Sequence, residues 1–165
     1  MKAASKLIVL LLIAAFLSAC ATAPKFDTNQ IDLNITPQQA VVEISTLQGT
    51  TVLWGGVIIA STNLKETTQF EILAYPLNSK QRPDTSKTPL GRFLAVQSGY
   101  LETSDYTQGR LISVSGTLQQ NRSGRIGETE YTYPVINISQ LHLWPKRGES
   151  PETRFHFGIG VMIHN

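Results

Sequence analysis

The sequence predicts a mainly β protein, folded as one small closed barrel with a short helix before the first strand. Three observations lead to this fold class. From residue 51 onward, short runs rich in β-branched and aromatic residues alternate with turn residues. Glycines interrupt these runs where a closing sheet has to bend. The segment just before residue 51 has apolar residues at helical spacing.

The first nineteen residues have the three-part layout of a secretory signal. Lys2 and Lys6 precede an apolar run of eleven residues, 7–17, and two small residues then lead to Cys20. This is the lipobox pattern, in which cleavage follows Ala19 and the cysteine thiol accepts a diacylglycerol. The alternative is a transmembrane helix, but a span needs roughly 20 apolar residues. The sequence therefore predicts a signal peptide at 1–19 and an acylated Cys20 that anchors the protein to membrane lipid.

Processing at Cys20 changes the charge and the thiol inventory. Removing Lys2 and Lys6 leaves twelve of the fourteen basic residues against twelve acidic ones. A neutral chain does not fit nucleic acid, which needs a concentrated basic patch. Cys20 is the only cysteine, so its acylation leaves no thiol for a disulfide. The next residue is Ala21 rather than the Asp that favours inner-membrane retention, which predicts export to the outer membrane.

Residues 20–35 are polar and weakly patterned, and we expect a lipidated tether followed by a single domain at 36–165. A helix is predicted to begin at Thr36, because Thr36 and Gln39 form a capping box and Pro37 suits the first helical position. It should end before Gly49.

Five strands follow, predicted at 51–61, 67–77, 92–96, 111–119 and 131–144. Residues 78–89 are expected to be a long loop and 121–127 a hairpin turn. Residues 154–165 are expected to add a strand over a barrel edge, or to form a tail that contacts a membrane or partner. About five to six strands with glycine bends favour a small OB-like Greek-key β-barrel.

Several segments match a known family in order. They are the lipobox at Cys20, Val-Leu-Trp-Gly-Gly-Val-Ile at 52–58, and the segments 71–72, 76–79, 91–93, 109–110, 114–116, 124–128 and 131–135. In this set the chain resembles the Slp family of enterobacterial outer-membrane lipoproteins, over about residues 20–144. The resemblance implies an outer-membrane lipoprotein associated with starvation or stationary-phase stress, with no established biochemical activity.

Aromatic and basic residues of the predicted strands are candidates for a shallow ligand groove of the kind that OB barrels use for oligosaccharides. The candidate groove residues are Arg92, Arg110, Tyr131 and Tyr133. One exposed tyrosine face is expected at 131 and 133, whereas Trp54 and Phe93 are expected in the core. The two arginines either bind an anionic group or pair with Glu71 or Glu102, and pairing is favoured.

No motif in the sequence predicts catalysis, a cofactor or a metal. A Gly-x-Ser-x-Gly elbow is absent from the sequence, and the aspartates fall in predicted tether or loop. Glu128 and Glu130 are interpreted as a solvated rim. His142, His156 and His164 lack the spacing and the cysteines of a structural zinc site.

The sequence as a whole predicts a non-enzymatic, lipid-anchored outer-membrane protein that faces the periplasm and supports the envelope under stress. Its expected partner is membrane lipid through Cys20, with an envelope glycan or another envelope protein as a further partner. The alternative is a binding module for peptidoglycan, another oligosaccharide or a peptide strand.

Overall fold

The structure, a computed structural model, describes residues 26–146 of the 165-residue chain. Two short helices precede five strands. The helices are α1 (Pro37–Val42) and α2 (Ile44–Leu47). The strands are β1 (Thr51–Asn63), β2 (Thr67–Ala74), β3 (Arg92–Ser98), β4 (Leu111–Ile126) and β5 (Thr129–Leu143). Among these residues, no helix combines the length and apolar character that crossing a bilayer requires.

The strands close into a barrel in the order β1-β2-β3-β5-β4. β1 lies antiparallel between β2 and β4, and β2 continues antiparallel to β3. β3 then meets β5 in the barrel's one parallel pairing, which joins Leu94–Val96 to Val135–Asn137. A meander of three strands closed by a parallel β3–β5 contact is the Greek-key arrangement of the OB barrel. The predicted fold class is confirmed.

Two glycines let the strands bend and cross closely enough for closure. A Cβ placed on Gly56 would lie 1.9 Å from the carbonyl oxygen of Leu73 in β2. A Cβ placed on Gly116 would lie 2.1 Å from the carbonyl oxygen of Asn137 in β5, next to a register shift in the β4–β5 ladder. Backbone cannot approach a side-chain-bearing residue at those distances, so both positions require glycine.

The barrel interior is filled by the inward faces that alternation predicts. Phe70, Ile72 and Ala74 from β2 and Ile112 and Val114 from β4 are at most 1% exposed and belong to one core cluster. Trp54 and Phe93 also lie in this core, with ring centroids 5.1 Å apart in an edge-to-face arrangement, as predicted.

The two helices pack against β5 and β4. The predicted start of α1 is confirmed: the Thr36 hydroxyl accepts from the Gln39 amide at 3.3 Å, and the Gln39 side chain accepts from the Thr36 amide at 3.0 Å. Ala40 is fully buried in the core cluster. The expected single helix is divided at Glu43, whose ψ of 20° ends α1 before α2 begins.

The prediction of a hairpin turn at 121–127 is wrong. β4 continues to Ile126, and its last five residues pair with Thr129–Tyr133 of β5. We call this paired extension, residues 122–133, the outer hairpin. The side chain of Arg122 bonds Gln69 of β2, and Ile126, Tyr131 and Tyr133 of the outer hairpin pack in one cluster with Leu94 and Val96 of β3. The outer hairpin therefore folds back over the outer surface of β3.

The described part of the expected tether, residues 26–35, packs on the barrel instead of standing free of it. Phe26 is 4% exposed, Asp32 forms a parallel bridge with Val52, and the Ile35 carbonyl accepts from the Trp54 indole at 2.7 Å. These contacts bury backbone and apolar groups that a free segment would leave in water. The expected edge strand at 154–165 lies outside the described residues.

Candidate functional site

Three of the four candidate groove residues meet on the outer surface of the barrel, around Glu71. The Arg92 guanidinium bonds the Glu71 carboxylate at 2.6 Å, so the expected pairing of Arg92 is observed. The Tyr133 hydroxyl donates to the same oxygen at 3.1 Å. The Tyr131 hydroxyl accepts from the Arg92 backbone amide at 2.8 Å, and the two tyrosine rings lie 4.7 Å apart at 63°. β2, β3 and β5 each supply part of this polar cluster.

The expected exposed tyrosine face is wrong for Tyr133, which is 5% exposed. Its ring packs with Leu94 and Val135 in a second apolar cluster, which lies between the outer hairpin and the outer surface of the barrel. Gly124 makes room for it, because a Cβ there would lie 2.9 Å from the ring. Burial, and then the Glu71 carboxylate, raise the pKa of Tyr133. The neutral Tyr133 phenol donates to Glu71, which is already paired with Arg92. This hydrogen bond fastens the outer hairpin to the barrel.

Arg110 lies apart from this cluster. Its guanidinium donates to the carbonyl of Asp105 at 3.1 Å and to that of Trp144 at 3.1 Å. Its Nε is buried without a hydrogen-bond partner. The predicted alternative pairing of Arg110 with Glu102 is wrong, because the guanidinium joins two backbone segments instead of an acidic side chain. Among the described residues, the four candidates therefore do not form one groove.

The other residues singled out from the sequence have local roles. Tyr100 is 70% exposed, and its hydroxyl bonds Glu102 at 3.3 Å. Glu128 and Glu130 are exposed at the tip of the outer hairpin, as the rim interpretation predicts. Within residues 26–146, no three metal-ligating side chains lie close enough to hold an ion. His156 and His164 lie outside this range.

His142 is buried at the end of β5, with its ring 4.4 Å from that of Trp144 at 88°. Burial, and secondarily the charge of Arg82, lower the pKa of His142. The imidazole is therefore held neutral at the pH where a free histidine begins to ionise.

A contact that the sequence analysis missed holds the N-terminal segment to the 78–89 loop. The Phe26 amide donates to the side-chain oxygen of Gln81 at 2.8 Å, and the Gln81 amide donates to the Phe26 carbonyl at 3.2 Å. Gln81 has a φ of 60°, a conformation that residues with a Cβ seldom adopt. The one sequence signal was Phe26 itself, the sole aromatic residue in a polar stretch. We call this contact the Phe26–Gln81 pair.

Buried side chains beneath Gln81 fix the pair to the barrel wall. The Ser113 hydroxyl of β4 donates to the Gln81 carbonyl at 2.6 Å and accepts from the Trp144 indole at 2.9 Å. The Arg82 guanidinium lies over the Trp144 ring at 5.2 Å. Ser113 lies on the face of β4 opposite Ile112 and Val114, and the loop covers it completely.

Cys20 and Ala19 lie outside the described residues, so acylation and cleavage there stay predictions. The family model described as "Outer membrane lipoprotein Slp family" matches residues 17–160, a range that includes the lipobox. The chain is 30% identical to the outer membrane protein Slp of Escherichia coli, over 84% of this chain and 74% of that protein. It is also 30% identical to the uncharacterised lipoprotein YeaY of the same organism, over 79% and 68%.

Solved structures align less closely. The small single-stranded DNA-binding protein of Streptomyces coelicolor aligns with a TM-score of 0.38 and 14% identity, over 61% of this chain and 99% of that one. The barrel assignment rests on the strand order. The match over residues 17–160 and the identity to two relatives show that this chain belongs to the outer membrane lipoprotein Slp family.

Proposed function

We propose that the protein is anchored by lipid at Cys20, that its barrel faces the periplasm, and that it supports the cell envelope without catalysing a reaction. The observation that carries this proposal is the spacing between the lipobox and the fold. Phe26, only six residues after Cys20, is already buried and hydrogen-bonded to the barrel. An anchor at Cys20 would thus hold a folded domain close to the lipid.

The non-enzymatic role is supported by what the buried polar groups do. One oxygen of the Glu71 carboxylate, Oε1, accepts from both Arg92 and Tyr133, which holds the group in the wall of the barrel. The Ser113 hydroxyl is occupied by Gln81 and Trp144. A general base or a nucleophile needs a free lone pair directed at a substrate. In these two clusters the side chains join strands and loops to one another, which is structural work.

The same occupation favours the anchored-domain proposal over a glycan-binding groove. For Arg92 to bind an anionic sugar it would have to leave Glu71, and for Tyr133 to stack on one the outer hairpin would have to lift. Both moves break hydrogen bonds to a partly buried carboxylate, which are each worth about 1.5–3 kcal/mol. The association with starvation and stress is taken from the family resemblance. It is tested by comparing stationary-phase survival of cells with and without the gene.

The anchor is tested by Cys20→Ser, with Thr22→Ser as a matched control that leaves the lipobox intact. Cells expressing each form are fractionated, and the N-terminal peptide is analysed by mass spectrometry. Cys20→Ser should lose the acylated peptide and leave the outer-membrane fraction, as soluble protein or unprocessed precursor. If Cys20→Ser fractionated with the outer membrane exactly as the control does, the anchor proposal would be wrong.

The periplasmic orientation needs a separate measurement. Protease added to intact cells should leave the barrel uncut, and protease added after permeabilising the outer membrane should reach exposed loops such as 78–89. Cleavage in intact cells would contradict the orientation and leave the anchor untouched.

A further inference from the structure

We propose that the side of the barrel formed by Phe26 and the turn at residues 78–82 lies against the phospholipid head groups, so that the domain is held in one orientation. This inference rests on the proposed anchor at Cys20. It adds an interaction surface and its partner, a lipid surface, to the anchored domain.

The length of chain between the anchor and the fold sets the geometry. Five residues separate Cys20 from Phe26, and the six residue steps at 3.3–3.6 Å each reach about 20 Å at full extension. The outer hairpin begins at the other end of β4, which runs from Ser113, beneath Gln81, to Ile126. Along the chain that stretch corresponds to about 40 Å of strand at 3.3 Å per residue, a contour length that the bends of β4 shorten in space. An anchor at Cys20 therefore ties the side of Phe26 and Gln81 to the lipid more closely than it ties the outer hairpin.

Hydrogen bonds fix the Phe26–Gln81 pair in place, so the short connection to Cys20 positions the barrel itself. Gln81 uses both ends of its side-chain amide on the backbone of one residue, and its own carbonyl accepts from the buried Ser113. A non-glycine residue at φ 60° is strained, and this backbone conformation persists where surrounding contacts determine it. The strain is thus stored at the point where the N-terminal segment joins the barrel.

The exposed turn on this side fits a lipid surface. Residues 78–80 of the turn, Asn-Ser-Lys, are exposed and polar, which suits contact with head groups rather than insertion into hydrocarbon.

The test uses the full-length acylated protein in vesicles of phosphatidylethanolamine and phosphatidylglycerol that carry a nitroxide on the head group. Acylation consumes the Cys20 thiol, so a single introduced cysteine can be labelled with an environment-sensitive fluorophore. The two positions are Lys80→Cys in the turn and Glu128→Cys at the tip of the outer hairpin, both exposed. We expect a loss of emission at position 80 and none at position 128.

The Phe26–Gln81 pair is tested in the same vesicles with Gln81→Gly and Gln81→Asn. Both residues tolerate a positive φ, whereas glycine removes the amide and asparagine shortens its reach. Each change should reduce the difference in quenching between positions 80 and 128. An unchanged difference in both variants would show that the Phe26–Gln81 pair does not set the orientation.

The orientation and the anchor fail in distinguishable ways. Equal quenching at the two positions, with Cys20→Ser still released from the vesicles, would overturn the orientation and leave the anchor standing. Retention of Cys20→Ser on the vesicles would overturn the anchor instead. Release of Cys20→Ser together with selective quenching at position 80 supports both.

Discussion

The hydrogen bond between Tyr133 and Glu71 should be worth a measurable part of the stability of the barrel. Tyr133 is 5% exposed, and its hydroxyl donates to the Glu71 carboxylate at 3.1 Å. A hydrogen bond to a charged group contributes about 1.5–3 kcal/mol. Because Arg92 still pairs with Glu71 at 2.6 Å after the hydroxyl is removed, the carboxylate keeps one partner. We therefore expect Tyr133→Phe to cost about 1.5 kcal/mol, the lower end of that range.

The assay is urea unfolding of the mature chain carrying Cys20→Ser, followed by the fluorescence of its two tryptophans. Tyr133→Phe is measured alone, with Glu71→Gln, and in combination, so that the cycle isolates the pair. The matched control is Tyr100→Phe, which removes a hydroxyl bonded to Glu102 in an exposed position and should cost less than about 0.5 kcal/mol. A coupling free energy near zero, or an equal cost for Tyr100→Phe, would refute the assignment of Tyr133 as the fastening of the outer hairpin.

Three further changes test other parts of the fold by the same assay. Gly116→Ala should lower the free energy of unfolding by about 3 kcal/mol or more, since its Cβ would meet the Asn137 backbone. Gly49→Ala, which has open space around a φ of 87°, should cost about 1 kcal/mol. Similar costs would contradict the close crossing of strands at Gly116. Thr36→Ala should lose about 1 kcal/mol with the capping box, and no loss would mean that α1 is held by packing alone. The pKa of His142 is lower in the folded protein than its unfolded value near 6.5, so the stability that it provides is present above that pH and is lost as pH falls toward the folded pKa. His142→Gln should flatten this part of the plot of unfolding free energy against pH. An unchanged plot would contradict the neutral, buried imidazole.

The interior of the barrel could be predicted because its signals are local. Phe70, Ile72 and Ala74 alternate with polar or outward residues along β2, and all three lie in the core. The residues that cap α1 and the glycines that bend the strands also lie within a few residues of the features that they predict. Closure in the OB order followed from the number and spacing of the strands together with those bends.

The outer surface could not be predicted in the same way, because segments distant in sequence cover it. Ser113 lies on the outer face of β4, and the 78–89 loop, some thirty residues earlier in the sequence, lies over it. Gly124 and Gly127 were interpreted as one turn, whereas Gly124 makes room for the ring of Tyr133 on the paired strand. The candidate groove failed for the same reason at Tyr133, which was expected to be exposed and is buried where the outer hairpin packs on β3.

The coverage of the barrel by its own chain explains how a lipoprotein of this size could act through its position. The outer hairpin covers β3, the 78–89 loop covers β4, and α1 and α2 pack against β5 and β4. Surfaces that an open barrel offers to ligands are thereby used to hold its own segments, without a disulfide, since Cys20 is the only cysteine. The Phe26–Gln81 pair extends the same strategy to the segment that follows the proposed anchor, because it makes residue 26 part of the barrel wall. A domain fastened this way would present one constant surface to the periplasm, which is what a supporting component of the envelope needs.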